Sequence, residues 1–229
     1  MPDFSKYLQR NQAWVEAKRA EDPEFFKLLA EGQNPDFLFV GCSDSRKCIN
    51  SMIGTGPGEL FVHRNIANQV PSGDGNVQAI LEFALLNLKV RHVVIGGHTR
   101  CGGVKAALAG VKDGAVGAWL RNLRDLVEAH AQELEAIPDP VDRADRLSEI
   151  NVLAQARNVL LSEPYRKAKE GGFAPTVHGW MFDLSTGLIR ELEENEGACY
   201  FDYEQDAMYS QRESELLQQY LREHGEMPG

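Results

Sequence analysis

Three short, uninterrupted apolar runs constrain this chain more than any other feature in it. Phe37-Leu38-Phe39-Val40, Leu60-Phe61-Val62 and Val93-Val94-Ile95 carry no charge and are too short for helix cores, as expected of strands buried on both faces of a sheet. Between the second and third, Val77, Ile80, Leu81, Ala84, Leu85 and Leu88 fall on one helical face across residues 76–89. Strand, helix, strand alternation predicts an α/β fold, with a mainly parallel central sheet flanked by helices.

The flanks fit this frame. Tyr7, Leu8, Trp14 and Val15, then Phe25, Phe26, Leu28 and Leu29, have helical spacing broken near Asp22-Pro23, which predicts a two-helix N-terminal arm over residues 1–32. Helices are expected over 115–130 and 142–161, separated by Pro138-Asp139-Pro140. Residues 176–184 read as a strand, Ser185-Thr186-Gly187 as a turn, and 188–192 as its hairpin partner. The acidic run Glu191 to Glu196 reads as a solvated loop, and residues 197–229 as a C-terminal extension with an amphipathic helix near Glu213 to Arg222. With no internal repeat or low-complexity linker, residues 1–229 are expected to form a single domain.

Charge and cysteine content narrow the function. Lys and Arg number 24 against 34 Asp and Glu, a formal net charge of -10, which argues against nucleic acid or an anionic membrane as a partner. No run is long and apolar enough to span a bilayer, and Lys6, Arg10, Lys18 and Arg19 stand where a signal core would be. The chain is expected to be cytoplasmic. Its four cysteines, at positions 42, 48, 101 and 199, are too scattered for a disulfide framework and suit free thiols or metal ligands.

Two motifs carry the chemistry. Cys42-Ser43-Asp44-Ser45-Arg46 follows the first strand, and His98-Thr99-Arg100-Cys101 follows the third. Ligand sites in open parallel sheets form beyond the carboxyl ends of strands, so the two segments can meet. Singly, the first is more often a buried thiol beside a helix N-cap, and the second is a weak signal. Together, two thiolates and an imidazole suit Zn²⁺, and three protein ligands leave a fourth tetrahedral position open for water. Gly97 to Gly102 is no phosphate loop, because Gly103-Val104 stands where Lys and Ser or Thr would be needed. Gly54 to Gly58 precedes a strand instead of following one, which excludes a dinucleotide fingerprint.

Read in order, Cys42 to Arg46, Pro57-Gly58-Glu59, His63 to Asn68, Gly97-His98, Cys101 to Val104, and His178-Gly179-Trp180 with Asp183-Leu184 and Gly187 resemble the β-class carbonic anhydrases from about Gln33 to Leu192. The resemblance implies one Zn²⁺ per subunit held by Cys42, His98 and Cys101, and reversible hydration of CO₂ to bicarbonate by zinc-bound hydroxide. It implies a homodimer or dimer-based higher oligomer clasped by the N-terminal arm. Asp44 and Arg46 match the family's dyad. Asp44 is then a proton acceptor that Arg46 holds ionised, or a fourth zinc ligand that closes the site when Arg46 lets go.

Gln33 and the Gly102 N–H match substrate donors, and Phe61, Ile66 and Phe83 match pocket-wall positions. Phe83 departs from a common tyrosine, Lys47-Cys48-Ile49 from Val-Pro-Ala, and Phe39 from the tryptophan of some bacterial members. That tryptophan, an arginine like Arg64 and a late tyrosine frame a non-catalytic bicarbonate site. With Phe39 and Met181-Phe182 instead, that site is expected to be missing or altered and Arg64 to be structural. Cys48 and Cys199 are expected to be small buried hydrophobes, although Lys47 leaves a reactive Cys48 open, and no partner is evident for His63 or His130. Two other functions share these ligands: hydrolysis of COS or CS₂, and a catalytically silent zinc or bicarbonate-binding protein.

Overall fold

The computed structural model describes residues 4–192. In chain order the elements are α1 (Ser5–Glu21), α2 (Phe25–Glu31), β1 (Phe37–Cys42), α3 (Ile49–Ile53), β2 (Leu60–Asn65), α4 (Gly75–Glu82), β3 (His92–His98), α5 (Gly102–Leu108), α6 (Gly114–Trp119), α7 (Arg121–Ala129), α8 (Ala131–Glu135), α9 (Pro140–Leu161), α10 (Glu163–Glu170), β4 (Thr176–Phe182) and β5 (Ile189–Leu192). A 3₁₀ turn, Ile66–Asn68, follows β2, and a π turn, Phe83–Asn87, follows α4.

The strands form one sheet in the order β2-β1-β3-β4-β5. All neighbours are parallel except the β4–β5 hairpin, so the expected α/β architecture is present. The chain leaves β1 toward β2 on one side and leaves β3 toward β4 on the other. Connections departing in opposite directions open a crevice between the carboxyl ends of β1 and β3. That crevice receives the two chemistry-bearing motifs.

Period-two alternation sorts the strand residues between layers. Leu38, Val40, Val93 and Ile95 join Val77, Leu81, Leu85, Val152, Val159 and Met181 in the main core, beneath α4, α9 and α10. Phe39 and Val94 face the other way and meet Ile49 of α3, with Phe37, Ile53, Leu60 and Trp180 at the margin. A third cluster gathers Cys42, Ala67 and Cys101 with Val104, Leu120, Leu123, Leu134, Leu147 and Ile150, and it backs the site.

Several elements depart from the expectations. β1 and β3 run further than their apolar cores, through Gly41-Cys42 and Gly96-Gly97-His98, so only Thr99 to Cys101 form the turn and Gly102 already opens a helix. The single helix expected over 115–130 is broken at Leu120 into α6 and α7. α9 starts two residues earlier than expected: Pro140 occupies its first turn and Asp139 caps it, accepting from the N–H groups of Val141 (2.7 Å) and Asp142 (3.0 Å). Residues 176–184 form a strand only to Phe182, and Glu191 lies in β5 instead of a loop. α1 and α2 form the N-terminal arm and bury none of their residues. The helix near Glu213 to Arg222 and Cys199 lie outside the described residues.

Candidate active site

β1 delivers Cys42 and β3 delivers His98 to opposite lips of the crevice, and the short turn after β3 returns Cys101 between them. All three are buried, and their ligand atoms lie within 4.8 Å of one another. The two sulfurs are 3.9 Å apart, too far for the roughly 2.05 Å disulfide bond. Two thiolates at a tetrahedral zinc, each at about 2.3 Å, stand about 3.8 Å apart.

His98 has its tautomer set. Nδ1–H donates to the Thr99 carbonyl at 2.8 Å, which leaves Nε2 with the lone pair, and that buried nitrogen has no hydrogen-bond partner. A buried polar atom without a partner is costly, and here it points to a missing metal bond. The thiols show the same conflict. The hydrogen bond from Cys101 pulls Cys42 well down, helped by His98 and the Asp44 and Ala67 backbone, while that same bond, burial and the nearby charge push Cys101 up. A divalent cation would let both ionise, so the donor set fits Zn²⁺.

Asp44 stands beside the trio, with Oδ2 3.9 Å from Nε2 of His98. Its carboxylate is engaged by Arg46: Nη2 donates to Oδ2 at 2.6 Å, and Nε and the backbone N–H donate to Oδ1, each at 2.9 Å. The Arg46 side chain holds Asp44 well below the usual carboxylate range, a charge-assisted fork that favours the ionised form. In this arrangement Asp44 faces Arg46 and lies outside the three-atom ligand group. Arg46 also reaches the Arg100 carbonyl at 3.3 Å, which ties the two motifs together.

The pocket-wall residues divide. Phe61 and Phe83 stack with centroids 5.7 Å apart, and the π turn that begins at Phe83 aims that ring. Ile66 lies against the start of α5, where a Cβ added to Gly103 would come within 2.8 Å of it. Gly102 is exposed, and its N–H belongs to a first helical turn, where amides lack an intrahelical acceptor. Gln33 is exposed between α2 and β1, and among the described residues no hydrogen bond joins it to the site.

Other residues correct or extend the sequence reading. Cys48 is exposed, not buried, because α3 begins just after it and turns Ile49 inward; its thiol lies 3.5 Å from the Ser51 hydroxyl, which lowers its pKa. His63 contacts Asn65 Nδ2 at 3.3 Å and His130 contacts Glu133 at 3.3 Å, so both have partners. Arg64 donates to the carbonyls of Cys42 (3.0 Å), Asp44 (2.7 Å) and Lys47 (2.8 Å), a structural role.

Sequence reasoning missed the polar face of α9. Asp145 accepts from the Arg100 N–H at 2.5 Å; Asn151 donates to the Ala67 carbonyl at 2.9 Å, and Gln155 accepts from the Val70 N–H at 2.7 Å. Ser148, Asn151 and Gln155 recur at i, i+3 and i+7 within a buried stripe, and that placement of polar residues was the available signal.

The fold and site thus define a class: a mainly parallel-sheet protein with a buried Cys-His-Cys group able to hold a metal ion, beside an aspartate held ionised by an arginine. A family model described as carbonic anhydrase matches residues 37–189. A carbonic anhydrase of Emericella nidulans is 46% identical over 82% of this chain and 82% of its own length. Among solved structures, one of two tetrameric β-carbonic anhydrases of Sordaria macrospora is 41% identical and superposes with TM-score 0.79, over 84% of this chain and 98% of that one. The Coccomyxa β-carbonic anhydrase, solved with acetazolamide, is 32% identical with TM-score 0.84, over 92% and 99%. The chain belongs to the carbonic anhydrase family, in its β class.

Proposed function

We propose that this chain is a zinc-dependent carbonic anhydrase that interconverts CO₂ with bicarbonate and a proton. The observation that carries this reading is the buried trio, two sulfurs and an unpartnered imidazole nitrogen gathered within 4.8 Å. Cys42 and Cys101 would hold the ion as thiolates and His98 through Nε2, one ion per chain. When bound, Zn²⁺ supplies Lewis acidity that lowers the pKa of water to about 7, so a nucleophile is available at neutral pH.

The chain's own groups do the rest. Asp44, kept ionised by Arg46, accepts the proton of the nucleophile at Oδ2, the oxygen nearest His98 Nε2. Arg46 holds that carboxylate in place, and swinging it away would free Asp44 to occupy the open metal position. Phe61, Ile66 and Phe83 offer apolar surface suited to a small neutral substrate with few polar contacts. The Gly102 N–H offers one donor to orient it, and the family resemblance assigns Gln33 as the other.

A homodimer or dimer-based oligomer is supported by the N-terminal arm, which buries nothing and exposes Phe4, Tyr7 and Leu8. We read residues 1–229 as one domain acting in the cytoplasm; among the described residues no helix is long and apolar enough to cross a membrane. Stopped-flow measurement of CO₂ and COS turnover from neutral to mildly alkaline pH tests the function. CO₂ hydration should be the faster reaction and should rise with pH. Faster COS turnover makes the chain a heterocumulene hydrolase, and an absence of both activities at every pH makes it a silent zinc protein.

A further inference from the structure

Lys47 is an oddity that the catalytic reading does not use. It follows the Asp44–Arg46 dyad directly, yet it is only 3% exposed, and neither of its side-chain hydrogen bonds goes to a carboxylate. Instead Nζ donates to the Gly96 carbonyl at 2.6 Å and to the Gly97 carbonyl at 3.0 Å. A buried cation whose hydrogen bonds go only to neutral carbonyls is expensive. The fold is shaped to keep it.

The Phe39 ring lies beneath the ammonium, 4.9 Å from centroid to Nζ, close enough for a cation–π contact. That ring fits only because two register partners on neighbouring strands, Gly41 and Gly96, lack side chains. A Cβ at Gly41 would come within 2.3 Å of the ring, and one at Gly96 within 2.4 Å of the ring and 2.9 Å of Nζ. Both glycines are required by this close approach. The rest of the pocket around the ammonium is apolar, lined by Ile49, Met52, Trp180, Phe182 and Ile189.

Position gives the arrangement its meaning. The β1–β3 ladder ends at Gly41 and Gly96, while β3 continues beside β4 to His98. At that point β1 departs into the loop that carries Asp44 and Arg46, and the Lys47 ammonium bridges back from this loop to β3. The other side of the loop is tied to β2 by Arg64, which bonds the Cys42, Asp44 and Lys47 carbonyls. The Lys47 N–H closes the turn itself on the Asp44 carbonyl at 3.1 Å.

We propose that Lys47 is a positioning residue: its internal ammonium clamps the dyad loop to the end of β3 and so sets the placement of Cys42 and Asp44 relative to His98. The link to metal rests on reading the trio as a zinc centre; the clamp itself does not. An apolar residue at this position would fill the space and leave the loop untied from β3.

The test compares Lys47→Met, which keeps the apolar stem and removes the ammonium, with Val159→Ala, a core change at the far end of α9. Hydrogen exchange is followed with the metal stripped, and release of bound zinc to a chromophoric chelator is timed separately. Lys47→Met should speed exchange locally over residues 42–48 and 96–101, and speed zinc release about 10- to 100-fold, the size of effect seen when groups supporting metal ligands are removed. Val159→Ala should do neither beyond its global loss of stability. If Lys47→Met does not fold, Lys47→Gln, which retains an amide donor, carries the same comparison with a smaller effect. Exchange and zinc release indistinguishable from the Val159→Ala pattern overturn the proposal. A wild-type chain that takes up no zinc sinks the zinc reading, while the exchange comparison still decides the clamp.

Discussion

Asn151 is the best place to perturb the site without touching it. It is 1% exposed, and its amide donates to the Ala67 carbonyl and accepts from Gln155 Nε2 at 3.0 Å. Ala67 and Asn68 both sit in the left-handed region, at φ 62 and 46, a conformation that costs a non-glycine residue about 1–2 kcal/mol. Asn151→Ala would orphan one buried carbonyl and one buried amide, each at about 1–3 kcal/mol. We expect a loss of about 2–6 kcal/mol, a large share of the roughly 5–15 kcal/mol that holds a domain folded. Urea unfolding at fixed protein concentration measures it, with an unchanged m-value expected. The turn from Ile66 to Asn68 packs on the start of α5, so catalytic efficiency should fall as well. The double variant Asn151→Ala/Gln155→Ala should cost less than the sum of the two single changes, because they share partners. A single-variant loss below about 0.5 kcal/mol, the level of an inert surface change, would refute the reasoning.

Further outcomes follow from other contacts. Burial pushes the Lys47 ammonium down from 10.5 to about 8, so between those values the unfolded chain binds a proton that the folded one refuses. Stability should therefore rise with pH across that window by about 3 kcal/mol relative to Lys47→Met, and parallel pH–stability curves for the two proteins would contradict this. Asp44→Asn should lower CO₂ hydration about 10²- to 10⁴-fold, the usual worth of a positioned proton acceptor, read by stopped flow. Arg46→Ala should free the Asp44 carboxylate to take the open metal position and so lower CO₂ hydration, read by the same stopped-flow assay. Asp139→Ala removes the α9 cap and should destabilise the fold, read as a lowered thermal midpoint.

The strands were legible because charge-free runs such as Phe37 to Val40 have few alternatives in a chain of this size. Their ends were not. Gly96 and Gly97 read locally as turn residues, yet both continue β3, and at Gly96 the Phe39 ring of the neighbouring strand takes the space of a side chain, a tertiary fact invisible in one segment. The double glycine at 102–103 hid the start of α5 in the same way. Pro140 looked like a helix breaker but opens α9, since proline fits a first helical turn.

At the site, Cys42, His98 and Cys101 were legible from spacing at two strand ends and from family resemblance. Lys47 was noticed as a departure but not as a buried cation, because lysine in a loop ordinarily faces water. Asn151 and Gln155 were not legible, because polar residues in a helix ordinarily read as its solvated face.

Elemental analysis of the purified chain, beside its Cys42→Ser and Cys101→Ser variants, tests the central claim most directly. One zinc per wild-type chain, lost when either sulfur is replaced, is the result this account predicts. Wild-type protein that holds no zinc after exposure to the ion, or variants that hold it as fully as wild type, would contradict it.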